Sequence, residues 1–252
     1  MSGHNKWANI KHRKGAQDKK RSALFNKVIR ELTVAAREGG GDPDLNPRLR
    51  SALDKAREAN MPKDTWEKAI KRGTGELEGV EYVEIMYEGY GPAGVAMIIT
   101  TVSDNKNRTA QEVRHVFSKY NGNMAESGAV SWNFEKKGTM IVEKSEISDA
   151  EEFMMTAIEC GADDIDDSSD PVEVRTAPED MMSVADAIRA AGFTPRDVEF
   201  AYIPKTTVAI EGRDAEKVLN LISKFEDLDD VQNVYANFDI DDDEMERIME
   251  TL

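Results

Sequence analysis

The fold is decided at residues 95–102, which read VAMIITTV and are almost entirely apolar. A short apolar run of this kind is typical of a central strand that is covered on both faces. In the segment before it, apolar residues alternate with polar ones, which predicts a half-buried strand: Val83, Ile85 and Tyr87. Residues 89–94, GYGPAG, have the glycine spacing of a dinucleotide-binding loop. Because they join two strands and no helix follows, we interpret them as a turn.

The chain after this strand predicts one helix and one further strand. Asn107 or Thr109 is expected to cap a helix that extends to about Tyr120. Alternating apolar residues then predict a strand with one buried face: Val130, Trp132 and Phe134.

Residues 138–204 have an element order of their own. Their periodicity predicts strand, helix, strand, strand, helix, strand, which is the ferredoxin-like order. The strand, helix and strand predicted after Pro204 are too small to form an independent core. We therefore expect them to complete the sheet that begins at Val83, so that 138–204 is an insertion.

The first third of the chain predicts helices only. One helix is expected over 22–38, a second begins with Asn46 as N-cap and Pro47 at its first position, and a third extends from Pro62 to Gly73. Short helices with small apolar faces bury a core only by packing together. The predicted fold class is multi-domain α+β, with an N-terminal three-helix bundle, an α+β domain and a ferredoxin-like domain inserted into the latter. The predicted domains are 1–80, then 81–137 with 205–252, and the insertion 138–204.

Charge is distributed unevenly along the chain. The 252 residues carry a net charge of −16. Residues 1–80 hold 18 Lys+Arg and 11 Asp+Glu, a net charge of +7, whereas residues 81–252 hold 15 and 38, a net charge of −23. Within residues 1–30, nine bases stand against one acid. Like charges at this density repel one another, and a polyanion relieves the repulsion. The distribution predicts a nucleic-acid partner at the N-terminal end.

The candidate nucleic-acid-binding residues of this end are basic or aromatic: Lys6, Trp7, Lys11, His12, Arg13, Lys14, Lys19, Lys20, Arg21, Lys27 and Arg30. Trp7 and His12 can stack on exposed bases; the alternative for Trp7 is an anchor that holds the segment to the bundle. The bundle adds further bases: Arg48, Arg50, Lys55, Arg57, Lys68, Lys71 and Arg72. Because many have acids three or four residues away, we expect about half of them to form intrahelical ion pairs.

A second basic group follows the central strand. Lys106, Arg108 and Arg114 lie in or after the sequence DNKNRT at 104–109, at the start of the predicted helix. One interpretation is an anion site formed by free N–H groups and Arg108. The other is a capped turn with exposed charges, and both are kept.

Several classes of protein are not expected. The sequence has one cysteine, Cys160, and three scattered histidines, and the acidic residues 163–170 do not fit a calcium loop, so we predict no metal and no cofactor. We find no catalytic motif and no small-molecule substrate, so an enzyme is not expected. The sequence shows no apolar run long enough to span a bilayer and no secretory signal, which favours the cytoplasm.

The motifs together resemble those of the YebC-like family. The matching segments are 3–14 (GHNKWANIKHRK), 39–43 (GGGDP), 46–49 (NPRL), 60–62 (NMP), 70–73 (IKRG), 87–92 (YEGYGP), 104–109 (DNKNRT) and 177–180 (APED). The resemblance implies three domains and a role in gene expression. Bacterial members resemble DNA-binding transcriptional regulators, mitochondrial relatives are translational activators of cytochrome c oxidase, and some bacterial members help ribosomes through proline-rich stretches.

Two classes of function therefore stay open, and a third, an enzyme that acts at Arg108 and its loop, would require a turnover activity that is lost in Arg108→Ala. The first is a nucleic-acid-binding regulator, whose target is either DNA or the RNA of the ribosome. A basic segment without an obvious recognition helix suits irregular RNA, whereas the family resemblance favours transcription. The second class is an acidic protein-interaction module, in which the basic end is incidental.

Overall fold

The computed structural model describes Trp7 and residues 18–249 apart from Ser169, with the backbone alone for residues 18–20 and Asp242. The chain has the predicted multi-domain α+β fold. It divides into two compact parts. One is Lys136–Ile203, called the inserted unit below. The other contains the remaining described residues and is called the main unit. The domain boundaries given above stay a prediction.

Three helices begin the main unit: α1 (Asp18–Gly39), α2 (Pro47–Glu58) and α3 (Lys63–Gly73). Asn46 joins the first two, because its Oδ1 accepts the N–H of Leu49 at 3.1 Å while its Nδ2 donates to the carbonyls of Ala35 and Gly40, each at 2.8 Å. The three helices share one core, which includes Leu32, Leu49, Leu53 and Ala69. The predicted three-helix bundle is confirmed, with Asn46 as the expected N-cap.

The larger sheet lies in the main unit. Its strands are β1 (Val83–Tyr90), β2 (Ala96–Ser103), β3 (Asn123–Met124) and β9 (Val231–Ala236), in the antiparallel order β3-β1-β2-β9. The helices α4 (Lys106–Lys119) and α7 (Gly212–Glu226) supply the apolar side chains that pack on one face. The rings of Phe117 and Phe225 meet edge to face with centroids 4.7 Å apart.

The turn between β1 and β2 uses glycine for two different reasons. A Cβ on Gly89 would lie 2.5 Å from Cζ of Phe117, so the strand crosses the helix only where no side chain is present. Gly94 has a φ of 76°, in the left-handed region that favours glycine. The segment is a hairpin turn, and the N–H of Gly91 donates to the carbonyl of Val95 at 2.8 Å.

The cap of α4 was predicted wrongly. The helix begins at Lys106, and Asn105 is the N-cap, with its Oδ1 accepting the N–H of Arg108 at 3.1 Å. Asn107 and Thr109 lie inside the helix. Thr109 does not cap the helix: it is fully buried, and its hydroxyl bonds to Ser103 and Asp230.

The strand predicted through Trp132 also differs. Ser131–Asn133 form a single 3-10 turn, and 67% of Trp132 is exposed. The cause is the buried carboxylate of Glu88, which accepts the N–H groups of Gly128, Val130 and Ser131 at 2.7–2.9 Å. These bonds draw the backbone out of the extended conformation that the apolar alternation predicted.

The inserted unit and its flanking residues contain the six predicted elements: β4 (Phe134–Val142), α5 (Ala150–Glu159), β5 (Asp164–Asp166), β6 (Val172–Thr176), α6 (Met181–Ala190) and β7 (Arg196–Pro204). The sheet order β5-β6-β4-β7 is ferredoxin-like. Its core includes Met140, Phe153, Val174 and Ile188.

The rest of the chain returns to the main unit as β8 (Val208–Ala209), α7, β9, β10 (Phe238–Asp239) and α8 (Asp242–Met249). Because β9 pairs with β2, this segment completes the sheet begun by β1, as predicted. At the point of return the N–H of Lys205 donates to the carbonyl of Asn133 at 2.7 Å. The side chain of Asn133 bonds to Thr206 as well, so the two chain crossings are held together.

Candidate nucleic-acid interface

Part of the predicted interface lies outside the described residues: Lys6, Lys11, His12, Arg13 and Lys14. For Lys19 and Lys20 the structure gives the backbone, which belongs to the first turn of α1. The placement of the remaining candidates is known in detail.

Trp7 is buried in the main unit. Its side chain is 3% exposed and belongs to the core between the sheet, α4 and α7. Its Nε1 donates to Oε1 of Glu226 at 3.0 Å, at the end of α7. A ring enclosed in this way offers no face to a base, so the stacking interpretation is wrong for this structure. The anchoring interpretation fits, with the correction that the anchor lies in the core beneath the sheet instead of in the bundle.

The bases on α1 are turned partly inward. Nζ of Lys27 donates to the carbonyl of Glu226 at 2.7 Å. The Arg30 guanidinium donates to Oδ1 of Asp230 at 2.6 Å and to the carbonyl of Asp229 at 2.5 Å. Arg21 is exposed, with its guanidinium 5.4 Å from the centre of the Phe25 ring. Lys27 and Arg30 therefore join α1 to the chain around α7, and of these three residues Arg21 alone presents its charge to solvent.

Asp230 is the centre of a buried polar cluster. Its side chain is 2% exposed and accepts hydrogen bonds from Ser103 at 2.9 Å, Thr109 at 2.7 Å and Arg108 at 2.8 Å, in addition to Arg30. Burial alone would raise the pKa of Asp230. The hydrogen bonds from Arg108, Thr109 and Ser103 and the charge of Arg30 outweigh burial and hold that pKa below its ordinary value.

The three bases of the second basic group, Lys106, Arg108 and Arg114, differ in their contacts. Arg108 pairs with Asp104 at 2.7 Å and with Asp230, so its main contacts are internal. Lys106 and Arg114 are exposed, and within the described part of the chain their side chains make no ion pair. The 104–109 segment is a capped turn that also holds the Asp230 cluster. The alternative of an anion site at Arg108 is not supported, because the Arg108 guanidinium pairs with the carboxylate of Asp230.

Several charged side chains of α2 and α3 are paired. Arg48 contacts three carboxylates, those of Glu31, Glu38 and Glu84, at 2.7–2.8 Å. Arg57 pairs with Asp54 at 2.8 Å, and Lys63 pairs with Glu67 at 3.5 Å. Of the bases expected to form intrahelical pairs, Arg57 does so with Asp54, whereas the three partners of Arg48 lie outside its own helix.

Sequence reasoning missed a group of bases on α3. Lys68, Lys71 and Arg72 are exposed, and they take part in no ion pair among residues 18–249 as described. The nearby acids suggested intrahelical partners, but Glu67 pairs with Lys63 instead. The spacing of the three bases, three and four residues apart, was the signal that could have identified them as one face.

Two carboxylates of the acidic loop in the inserted unit are paired with bases of the protein. Lys137 contacts Asp163 at 3.1 Å, and Arg175 contacts Asp164 at 2.7 Å. In the described part of the chain, no group of three or more histidine, cysteine or acidic side chains is arranged to hold a metal ion. Over the same residues, every helix falls short of the length or hydropathy that crossing a membrane requires.

Comparison with known proteins gives matches along most of the chain. Residues 5–76 match the family model described as the TACO1/YebC protein N-terminal domain, and residues 82–238 match the model of the TACO1/YebC second and third domain. A probable transcriptional regulatory protein of Kosmotoga olearia is 60% identical over 252 residues, which is 100% of both chains. One of Thermosipho melanesiensis is 62% identical over 100% of this chain and 99% of its own.

A solved structure is similar as well. The crystal structure of a conserved hypothetical protein from Aquifex aeolicus superposes with a TM-score of 0.82 and 45% identity, over 89% of this chain and 92% of that one. The segments that carried the sequence resemblance, the element order and these full-length relatives all agree. The chain belongs to the TACO1/YebC family.

Proposed function

We propose that this protein is a nucleic-acid-binding regulator of gene expression, which contacts phosphate groups through its basic N-terminal segment. The observation that carries the proposal is the separation of charge, +7 over residues 1–80 against −23 over the remainder. An acidic body repels a polyanion everywhere except at the basic end, which restricts contact to one region. The relatives named probable transcriptional regulatory proteins support a regulatory role.

The stretch 8–17 and the residues that flank it support this proposal. Trp7 is buried in the core, and α1 begins at Asp18, so both ends of the stretch 8–17 join described structure. That stretch contains Lys11, Arg13 and Lys14 and no acid. No carboxylate within this stretch therefore competes with a phosphate group for the three bases.

A second candidate target, RNA of the ribosome, is favoured by a specific observation. A duplex-reading protein places the exposed side chains of one helix against base edges. In α1 the contacts of Lys27 and Arg30 are internal, and in α2 Arg48 and Arg57 are paired with acids. These four side chains are therefore bound within the protein and do not read base edges, and structured RNA is recognised largely by shape and backbone.

The experiment measures binding of a 20-base-pair DNA duplex and of a structured RNA across a range of salt concentrations. The test variant replaces Lys11, Arg13, Lys14, Lys19 and Lys20 with Gln. The control loses the same charge elsewhere, at Arg189, Arg196, Lys205, Lys217 and Lys224. Each phosphate contact contributes about 0.9 to the slope of log K against log salt for duplex DNA and about 0.7 for single strands.

We expect the wild type and the control to bind with steep salt dependence, and the test variant to bind at least about tenfold more weakly with a flatter slope. Equal binding by test and control variants would overturn the proposal. Absence of binding by the wild type would favour the protein-interaction alternative. Sedimentation of a cell lysate then compares the targets: movement with ribosomal particles at moderate salt supports a translational role.

The same proposal places the protein in the cytoplasm, with nucleic acid as its partner and with no catalytic step or cofactor. A turnover activity that is lost in Arg108→Ala while binding persists would contradict the non-enzymatic part of the proposal.

A further inference from the structure

We propose that the exposed side of α3 formed by Lys68, Lys71 and Arg72, called the α3 basic face below, is a second phosphate-binding surface that engages the same nucleic acid as the N-terminal segment. The inference rests on the proposed function. It adds a second contact region and a minimum length for the partner.

The charges of the α3 basic face differ from those around them. In the same bundle, Arg48, Arg57 and Lys63 are paired with carboxylates, and the Arg37 guanidinium donates to the carbonyl of Tyr82. Lys68, Lys71 and Arg72 have no such contact within the described residues. The nearby Glu76 accepts a hydrogen bond from the hydroxyl of Thr74, at 2.9 Å. Three adjacent positive charges are thus left for an external anion.

Helix geometry places the three charges on one side. Residues three and four positions apart are neighbours on a helix surface, so Lys68, Lys71 and Arg72 form one cluster. On the other side of the helix Ala69 is fully buried, and Trp66 and Ile70 pack against the bundle core. The helix dipole stabilises the positive charges of Lys71 and Arg72 in the last turn of α3. Repulsion among these two charges and that of Lys68 acts in the opposite direction. A phosphate group removes that repulsion.

Two glycines restrict the position of this face. A Cβ on Gly79 would lie 2.9 Å from Cδ of Arg72, so the aliphatic part of the arginine side chain lies against the glycine. Gly73 lies against the backbone carbonyl of Thr33, where no Cβ could be accommodated. The end of α3 is therefore packed closely on α1, and Arg72 extends from a fixed base.

The separation between the two basic regions sets the size of the partner. The Thr33 hydroxyl contacts the carbonyl of Ala69 at 3.3 Å, which places the α3 basic face beside the middle of α1. Asp18, at the start of α1, is fifteen residues earlier, which is about 22 Å along the helix axis. A duplex rises about 3.4 Å per base pair, so roughly seven base pairs reach from the α3 basic face to the first turn of α1, which carries Lys19 and Lys20. A single nucleotide is therefore too small to contact both.

The experiment compares two triple variants of the full chain. The test variant is Lys68→Gln, Lys71→Gln and Arg72→Gln. The control is Arg57→Gln, Lys63→Gln and Lys217→Gln, which removes three exposed bases that are paired with acids. Both are titrated against a 20-base-pair duplex and a 5-base-pair duplex at several KCl concentrations. Urea midpoints verify that both variants are folded.

We expect the test variant to bind the long duplex about 5- to 50-fold more weakly than the control, with a salt slope smaller by about 2.7 for three lost contacts. With the short duplex the two variants should bind alike. Equal affinities and salt slopes of the two variants on the long duplex would overturn the proposed role of the α3 basic face. The proposed contribution of the N-terminal segment would be unaffected. If the wild type binds neither of the two duplexes, the proposed function itself fails.

Discussion

The Arg108 guanidinium and the Asp230 carboxylate lie 2.8 Å apart at the start of α4. Asp230 is 2% exposed and also contacts Arg30 of α1 at 2.6 Å. One buried carboxylate therefore balances two cations from different helices and joins the bundle to the sheet. Arg108, for which the sequence left an anion site and a capped turn open, therefore makes a structural contact within the protein.

Asp230→Asn is expected to destabilise the main unit by about 2–4 kcal/mol, because two guanidinium groups lose their shared counter-charge in a poorly solvated cluster. The free energy of unfolding from urea titration measures the loss. Asp104→Asn is the matched control, since Asp104 pairs with the same arginine but is 40% exposed. It should change stability by less than about 1 kcal/mol. Equal effects of the two substitutions would contradict the central role of Asp230.

Two depressed pKa values predict acid sensitivity. Burial would raise the pKa of Glu88, but hydrogen bonds from the backbone N–H groups of Gly128, Val130 and Ser131 outweigh it and hold that pKa below its ordinary value, as happens for Asp230. A carboxyl whose pKa is lower when folded contributes stability above its unfolded pKa, about 4. That contribution to stability is lost as the pH falls through the pKa that the carboxyl group has in the folded state.

Stability measured between pH 6 and pH 3 should therefore decline, and the decline should be shallower in Glu88→Gln and in Asp230→Asn. Glu126→Gln serves as the control, because Glu126 is exposed and should leave the slope unchanged. If both buried-site variants keep the full wild-type slope, the two groups do not carry the acid sensitivity.

Trp7→Ala is expected to destabilise the main unit by about 2–4 kcal/mol, since it removes a large side chain from the core. Trp7→Phe should retain much of the packing while it removes the indole N–H that Glu226 accepts, so its loss should be smaller than that of Trp7→Ala. Thermal unfolding measures both. If Trp7→Ala left stability unchanged and weakened nucleic-acid binding alone, Trp7 would be a stacking residue after all.

Gly89→Ala is expected to destabilise the main unit by about 1–3 kcal/mol, because its Cβ would meet Phe117 and the carbonyl of Asn123 within 2.6 Å. Gly91→Ala is the comparison: its Cβ would meet Sδ of Met97 at 3.0 Å and Cδ2 of Leu221 at 3.2 Å, and flexible side chains move more easily than a backbone carbonyl. Urea unfolding should rank the first substitution as the more harmful. The reverse order would contradict the close crossing of β1 and α4.

The sequence predicted the architecture well, because periodicity and capping residues act locally. Asn46, the glycine-rich turn and the ferredoxin-like order were identified without knowledge of any contact. Trp132 was predicted wrongly because the cause is distant: Glu88, more than forty residues earlier, binds the backbone beside it. Apolar alternation carries no information about such a bond.

The candidate site was predicted less well, because sequence shows charge but not pairing. Arg30 and Arg108 are about 200 and 122 residues from Asp230, so their partner was not visible. Lys68 has acids nearby in sequence but no acidic partner among the described residues. The role of the basic end stays a prediction, and the availability of each of its bases depends on contacts that the sequence does not show.

The hydrogen bond between Lys205 and Asn133 has an evolutionary consequence. It joins the two points at which the chain leaves and re-enters the main unit, so the ends of the intervening segment lie side by side. A gene could lengthen, shorten or exchange that segment and still leave both ends within reach of each other. The pairing of β2 with β9 would then form as it does now.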